Sequence, residues 1–198
     1  MAQHLRRLNA WVAVAALHAL AALATWPLTR DDLDWQPALA ALQPWRALSG
    51  AWVHWSLSHL LANLAGCAAL AWLGWRAGLR GAQVLAWLCA WPLTQLLLLG
   101  WPALQHYGGL SGLLHAGVAI TAIELLSRHG RERLVGTLLG AGLLAKLTLE
   151  APLGPALRQV DGWDIAIAPA AHLSGVLAGA ICALALRAWA SRRRTPEA

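Results

Sequence analysis

Charge is scarce in this chain. Asp, Glu, Lys and Arg make up 12% of 198 residues, against 59% hydrophobic residues and a mean hydropathy of +0.52. So little charge excludes a soluble domain of this length. Phenylalanine is absent, which we read as compositional bias that excludes nothing. Cysteine is limited to Cys67, Cys89 and Cys182. All three lie inside apolar runs without paired spacing, so they are expected to be buried packing residues and not a disulfide framework. No H-E-x-x-H run occurs and no carboxylate stands beside the histidines in sequence, so no metal and no cofactor are expected. The net charge of +6 comes from arginines in short loops between apolar segments, not from a basic face among polar residues. Nucleic acid is therefore not an expected partner. Neither strand periodicity nor an internal repeat is evident.

What the chain does have is long apolar runs. A helix needs roughly 20 apolar residues to cross a bilayer. On that rule segments fall near 8–26, 53–74, 82–101, 111–127, 133–149 and 167–189, followed by a basic tail at 190–198. The expected fold is an all-α membrane protein: a single polytopic domain over 1–198, built as a six-helix bundle in contact with the lipid bilayer. The third segment contains Pro92, which a packed bundle tolerates. Many of the 13 tryptophans lie near predicted helix ends (Trp26, Trp52, Trp75, Trp101, Trp163, Trp189), where indoles straddle the headgroup layer. The region 27–51 mixes acids with Trp35 and Trp45 and reads as a partly helical, half-immersed loop.

The arginines orient the bundle. Arg6, Arg7, Arg76, Arg80, Arg128, Arg131, Arg133, Arg192, Arg193 and Arg194 fall on one set of ends. The other set holds Arg30, Arg46, Arg158 and Lys146, with Asp31, Asp32, Asp34, Glu150, Asp161 and Asp164. The positive-inside rule then puts both termini in the cytoplasm. The first segment, with its basic start and Ala22-Leu23-Ala24, mimics a signal peptide. Cleavage there would leave five helices and carry the basic C-terminus to the opposite side, so it is read as a retained span.

Polar side chains gather at one depth. Segment two begins on the outer side with His54, His59 and Asn63, the last two sharing a helical face. Segment four begins outside at Ser111, and segment six carries His172 about one turn in. Gly108, Gly109 and Gly112 bracket Ser111, permitting a tight entry loop and close backbone approach. Gly175 and Gly179 lie on the His172 face, at the spacing that lets helices pack closely. Contact between segments four and six would bring the Ser111 hydroxyl to the His172 imidazole as nucleophile and base. Asn63, His59 and backbone N–H groups at the start of segment four are candidate oxyanion donors. No acid is well placed to orient His172, since Asp161 and Asp164 lie in the preceding loop, so a dyad is expected.

These residues resemble the rhomboid intramembrane serine proteases: His54, His59 and Asn63 as H-x4-H-x3-N, Gly109, Ser111 and Gly112 as G-x-S-G, and Ala171, His172, Gly175 and Gly179 as A-H-x2-G-x3-G. The resemblance runs from about 45 to 189 and includes the pair Trp45-Arg46. It implies a six-helix rhomboid-like bundle, with Ser111 as nucleophile, His172 as base, and His59 and Asn63 supporting the oxyanion. It further implies cleavage of client proteins that carry a single hydrophobic helix, near the outer surface of a bacterial inner membrane. His115, four residues after Ser111 in GLSGLLH, is similar to the rhombosortase branch, which is associated with removal of C-terminal sorting tails.

Each residue also has a plainer reading. Ser111 could serve helix packing, Asn63 could pin two helices, and His54 could hold the loop. His115, one turn below Ser111, reads as structural or as tuning the site. Glu124 reads as a snorkelling partner of Arg128 at i+4. The alternative function is a catalytically inactive rhomboid-like factor that binds or routes membrane proteins. A transporter would want polar residues through both leaflets or inverted repeats, and here the polar cluster stops partway.

Overall fold

The computed structural model describes residues 9–192. Arg6, Arg7, Arg193 and Arg194, and all but the start of the basic tail, lie outside the described residues. Within them the chain is all-helical: α1 (Ala10–Thr25), the single turn α2 (Arg46–Ser49), α3 (Leu57–Arg76), α4 (Ala82–Leu97), α5 (Ser111–Leu126), α6 (Gly130–Glu150) and α7 (Pro169–Arg192). Among the described residues pairing of the strand kind is limited to two isolated bridges, Trp35 with Tyr107 and Arg158 with Ile167.

Local chemistry starts and stops these helices. The Asn9 side chain accepts the Trp11 N–H at 2.9 Å and caps α1. Ser56 caps α3 through the His59 N–H at 3.2 Å. Each satisfies a first-turn donor with no intrahelical partner. Ala151, at φ +50°, ends α6 in the left-handed region. Pro92 sits inside a continuous α4.

Three helical stretches are long and apolar enough to cross a membrane: Leu57–Arg76, Ala82–Gly100 and Pro169–Arg192. They coincide with the second, third and sixth expected segments. The first and fourth are apolar but only 16 residues long. The fifth has the length, at 21 residues, but Arg131, Glu132, Arg133, Lys146 and Glu150 dilute its hydropathy.

α5 lies at the centre, packed against α3, α4, α6 and α7, and α5 with α7 forms the most extensive helix pair. Glycine makes that pair possible. A Cβ on Gly175 would stand 1.9 Å from the Gly112 carbonyl oxygen, and one on Gly179 would stand 2.4 Å from that of Ala116. At the other end of the bundle Trp11 stacks on Trp87 with centroids 4.4 Å apart. There Glu124 accepts from Arg128 at 3.2 Å, as the i+4 spacing predicts, and from Gln83 at 2.8 Å.

The connection from α1 to α3 is partly helical, as expected, but not simply half-immersed. Trp35 is wholly buried and exchanges backbone hydrogen bonds with Tyr107 at 2.7 and 2.9 Å. Beside it Asp34, also fully buried, accepts from Arg46 at 3.0 Å, His106 at 2.7 Å and Gln36 at 2.8 Å. A buried charge needs such partners, and meeting them folds the loop inward. Trp52, expected at an interface, instead donates its indole N–H to His18 at 3.1 Å. Cys67 and Cys182 are buried as expected; Cys89, expected to be buried, is exposed.

Candidate active site

Ser111 is the first residue of α5. The chain reaches it through Gly109, whose φ of +132° is open to glycine and strained for other residues. His172 lies one turn into α7, after Pro169 has opened that helix. Across the glycine-lined seam the His172 Nε2 stands 3.1 Å from the Ser111 Oγ, a normal hydrogen-bond distance.

The expectation that no acid is placed to reach His172 needs correction. The second imidazole nitrogen of His172, Nδ1, is 2.6 Å from Oε2 of Glu150, the last residue of α6. Lys146, one turn back on the same helix, donates to the other carboxylate oxygen at 2.6 Å. The acids named from sequence, Asp161 and Asp164, are not the ones that reach the ring. An ionised carboxylate only accepts, so the Nδ1 proton is donated to Glu150 and the Nε2 lone pair faces the serine. His115 stacks on His172, with centroids 4.3 Å apart and planes 19° from parallel. Its own Nδ1 donates to the Ser111 carbonyl at 2.6 Å.

On the opposite wall Asn63 donates to the His59 carbonyl at 3.0 Å. His59 Nδ1 accepts from the Trp55 N–H at 3.4 Å, which leaves the Nε2 proton directed elsewhere. A Cβ on Gly109 would lie 2.7 Å from that Nε2 and 4.0 Å from the Asn63 amide nitrogen. Glycine thus lets both donors approach the turn that carries Ser111. His54 does not line the cavity; it packs behind His59 with centroids 4.8 Å apart and bonds Trp52 O at 2.9 Å. Gly112, Gly175 and Gly179 act through the helix contact already described.

Tyr107 was not singled out from sequence. Its hydroxyl donates to Gly109 O at 3.1 Å, accepts from the Gly112 N–H at 3.4 Å and lies 3.5 Å from Ser111 Oγ. Burial pushes its pKa up from the ordinary value, so it remains a protonated donor. The signal available beforehand was its position four residues before Ser111, as the lone tyrosine of the chain.

These groups line an open cavity of about 490 Å³. Its far wall is the connection between α6 and α7, including Trp163, Ile165 and Ile167. Asp164 straps that connection to the start of α3 by accepting from Ser58 and, at 2.8 Å, from Ser56. Those hydrogen bonds hold its carboxyl below the usual range. The cavity therefore presents a hydroxyl polarised by an oriented imidazole, with N–H donors opposite. That arrangement suits nucleophilic attack on a carbonyl. The chain matches no family model and no curated protein.

Proposed function

We propose that this chain is an intramembrane serine endopeptidase of the rhomboid type, with Ser111 as nucleophile and His172 as base. The observation that carries the reading is the 3.1 Å approach of Ser111 Oγ to His172 Nε2 in a cavity set within an apolar helical bundle. Supporting it are the ordered motifs on α3, α5 and α7 and the donors of His59 and Asn63 across the cavity.

Ser111 attacks the scissile carbonyl carbon while its proton passes to His172 Nε2. The carbonyl π pair moves onto oxygen, which His59, Asn63 and first-turn N–H groups of α5 stabilise. Collapse restores the carbonyl, breaks the C–N bond and returns the proton to the leaving amine. Water then attacks the acyl-serine, gives its proton to Nε2, and releases the new carboxyl as Ser111 recovers its own. The substrate is a client with a single hydrophobic helix, which must unwind locally to expose its carbonyl. Small residues at the cut suit that step because glycine weakens helices.

In this reading six segments cross the bacterial inner membrane, both termini are cytoplasmic, and the cavity opens to the outside. The rhombosortase-like run at Ser111–His115 favours sorting tails as clients. In detergent, Ser111→Ala should abolish cleavage of a model single-span substrate while leaving membrane insertion intact. A fluorophosphonate probe should label the wild type and miss both Ser111→Ala and His172→Ala. Processing by Ser111→Ala at the wild-type rate would remove the nucleophile, and equal labelling of His172→Ala would remove the base.

A further inference from the structure

Glu150 stands where a helix disfavours it. It is the last residue of α6, and a carboxylate at a helix C-terminus opposes the macrodipole. Yet its side chain is only 12% exposed and both oxygens are taken, one by His172 Nδ1 and one by Lys146 Nζ, each at 2.6 Å. Something other than helix propensity holds it there. The ring it touches is also held on its face, because His115 stacks on it and is itself pinned to the Ser111 carbonyl. Stacking sets the plane of the imidazole. It does not choose which nitrogen carries the proton, nor stop rotation within the plane.

We infer that Glu150 is the positioning residue of a Ser111–His172–Glu150 triad, and that Lys146 tunes it by holding the second carboxylate oxygen. The inference rests on the serine-protease reading above and deepens it. Glu150 keeps the Nδ1–H tautomer, so that Nε2 presents its lone pair to the serine, and it stabilises the imidazolium formed during attack. Lys146 withdraws part of that negative charge. The other titratable or charged groups that line the cavity with His172 are His115 from α5, His59 from α3, His106 and Tyr107 from the connection before α5, and Arg158 from the connection after α6. Among the described residues lining the cavity, Glu150 is the only carboxylate.

The experiment uses the full chain in detergent, with a fluorogenic glycine- and serine-rich peptide joined to one hydrophobic span. Rates are measured from acid to neutral pH. Glu150→Gln should lower kcat by about 100-fold or more with little change in KM. Its acid limb should move to lower pH, because the imidazolium has lost its anionic partner. Glu150→Asp, which keeps the charge, should recover part of the rate and the wild-type profile. Lys146→Met should move the limb the opposite way, since an unshared carboxylate stabilises the imidazolium more. Nitrogen-15 spectra of the histidine rings in Ser111→Ala should show the Nδ1–H tautomer at His172, and Glu150→Gln in that background should lose it.

A Glu150→Gln enzyme with wild-type rate and profile would overturn the triad. So would a slow enzyme with an unmoved profile and no recovery in Glu150→Asp, which would mark a purely structural pair. A wild type with no Ser111-dependent cleavage overturns the protease reading instead; the ring spectra then still decide whether Glu150 orients His172.

Discussion

Replacing Gly175 with alanine adds one methyl group at the closest point between α5 and α7. The new Cβ would stand 1.9 Å from the Gly112 carbonyl oxygen and 2.7 Å from its carbon, about 1.5 Å short of the 3.4 Å at which ordinary contact begins. Both sides of the clash are backbone, so no rotamer change relieves it and the helices must part. Gly112 adjoins Ser111, so the parting is passed directly to the Ser111 hydroxyl. Moving Ser111 Oγ from 3.1 Å to beyond about 4 Å from Nε2 removes the hydrogen bond. A misplacement of about 1 Å at the reacting groups is worth on the order of 100-fold in rate. Overpacking of this kind also costs about 1–3 kcal/mol in stability. Gly142→Ala on α6 is the matched control, because nothing lies within 4 Å of its Cβ. The assay is the second-order rate of fluorophosphonate labelling, with thermal unfolding in the same detergent. Gly175→Ala should label about 100-fold more slowly and Gly142→Ala at the wild-type rate. Equal labelling of the two variants would refute the argument that close glycine packing aligns the pair.

Gly109→Ala should reduce kcat more than it raises KM. Its φ of +132° strains an alanine and its Cβ would push on His59 Nε2 at 2.7 Å, an effect of about 1–3 kcal/mol; an unchanged kcat would place His59 outside the chemistry. Arg46→Met should lower the unfolding temperature sharply. It leaves fully buried Asp34 without its guanidinium, and breaking such a pair costs about 3–5 kcal/mol; a wild-type melting curve would show that His106 and Gln36 suffice.

The meeting of Ser111 with His172 was legible in the sequence because two independent patterns point to it. Polar residues open apolar segments at one depth, and Gly175 and Gly179 announce a close helix contact on the His172 face. Glu150 was not legible. It counted as one more charge at a segment end, and its contact with His172, 22 residues later, depends on how the connection after α6 turns back over the cavity. No local period encodes that return. Trp35 misled for a related reason. An indole among acids resembles an interfacial anchor, but Asp34 draws Arg46 and His106 inward and takes Trp35 with it. α1 begins at Ala10, two residues inside its expected segment, because the Asn9 side chain caps it there, whereas α5 begins at Ser111 as expected and ends at Leu126, one residue early.

The place of Glu150 at the terminus of α6 makes that helix a ruler. Each residue of an α-helix turns the next by about 100° and advances it about 1.5 Å. One residue inserted or deleted upstream of Glu150 would swing the carboxylate off the imidazole, and a whole added turn would restore the angle but overshoot by about 5.4 Å. The exposed flank of α6 can therefore drift in composition, whereas its length cannot change without disconnecting Glu150 from His172.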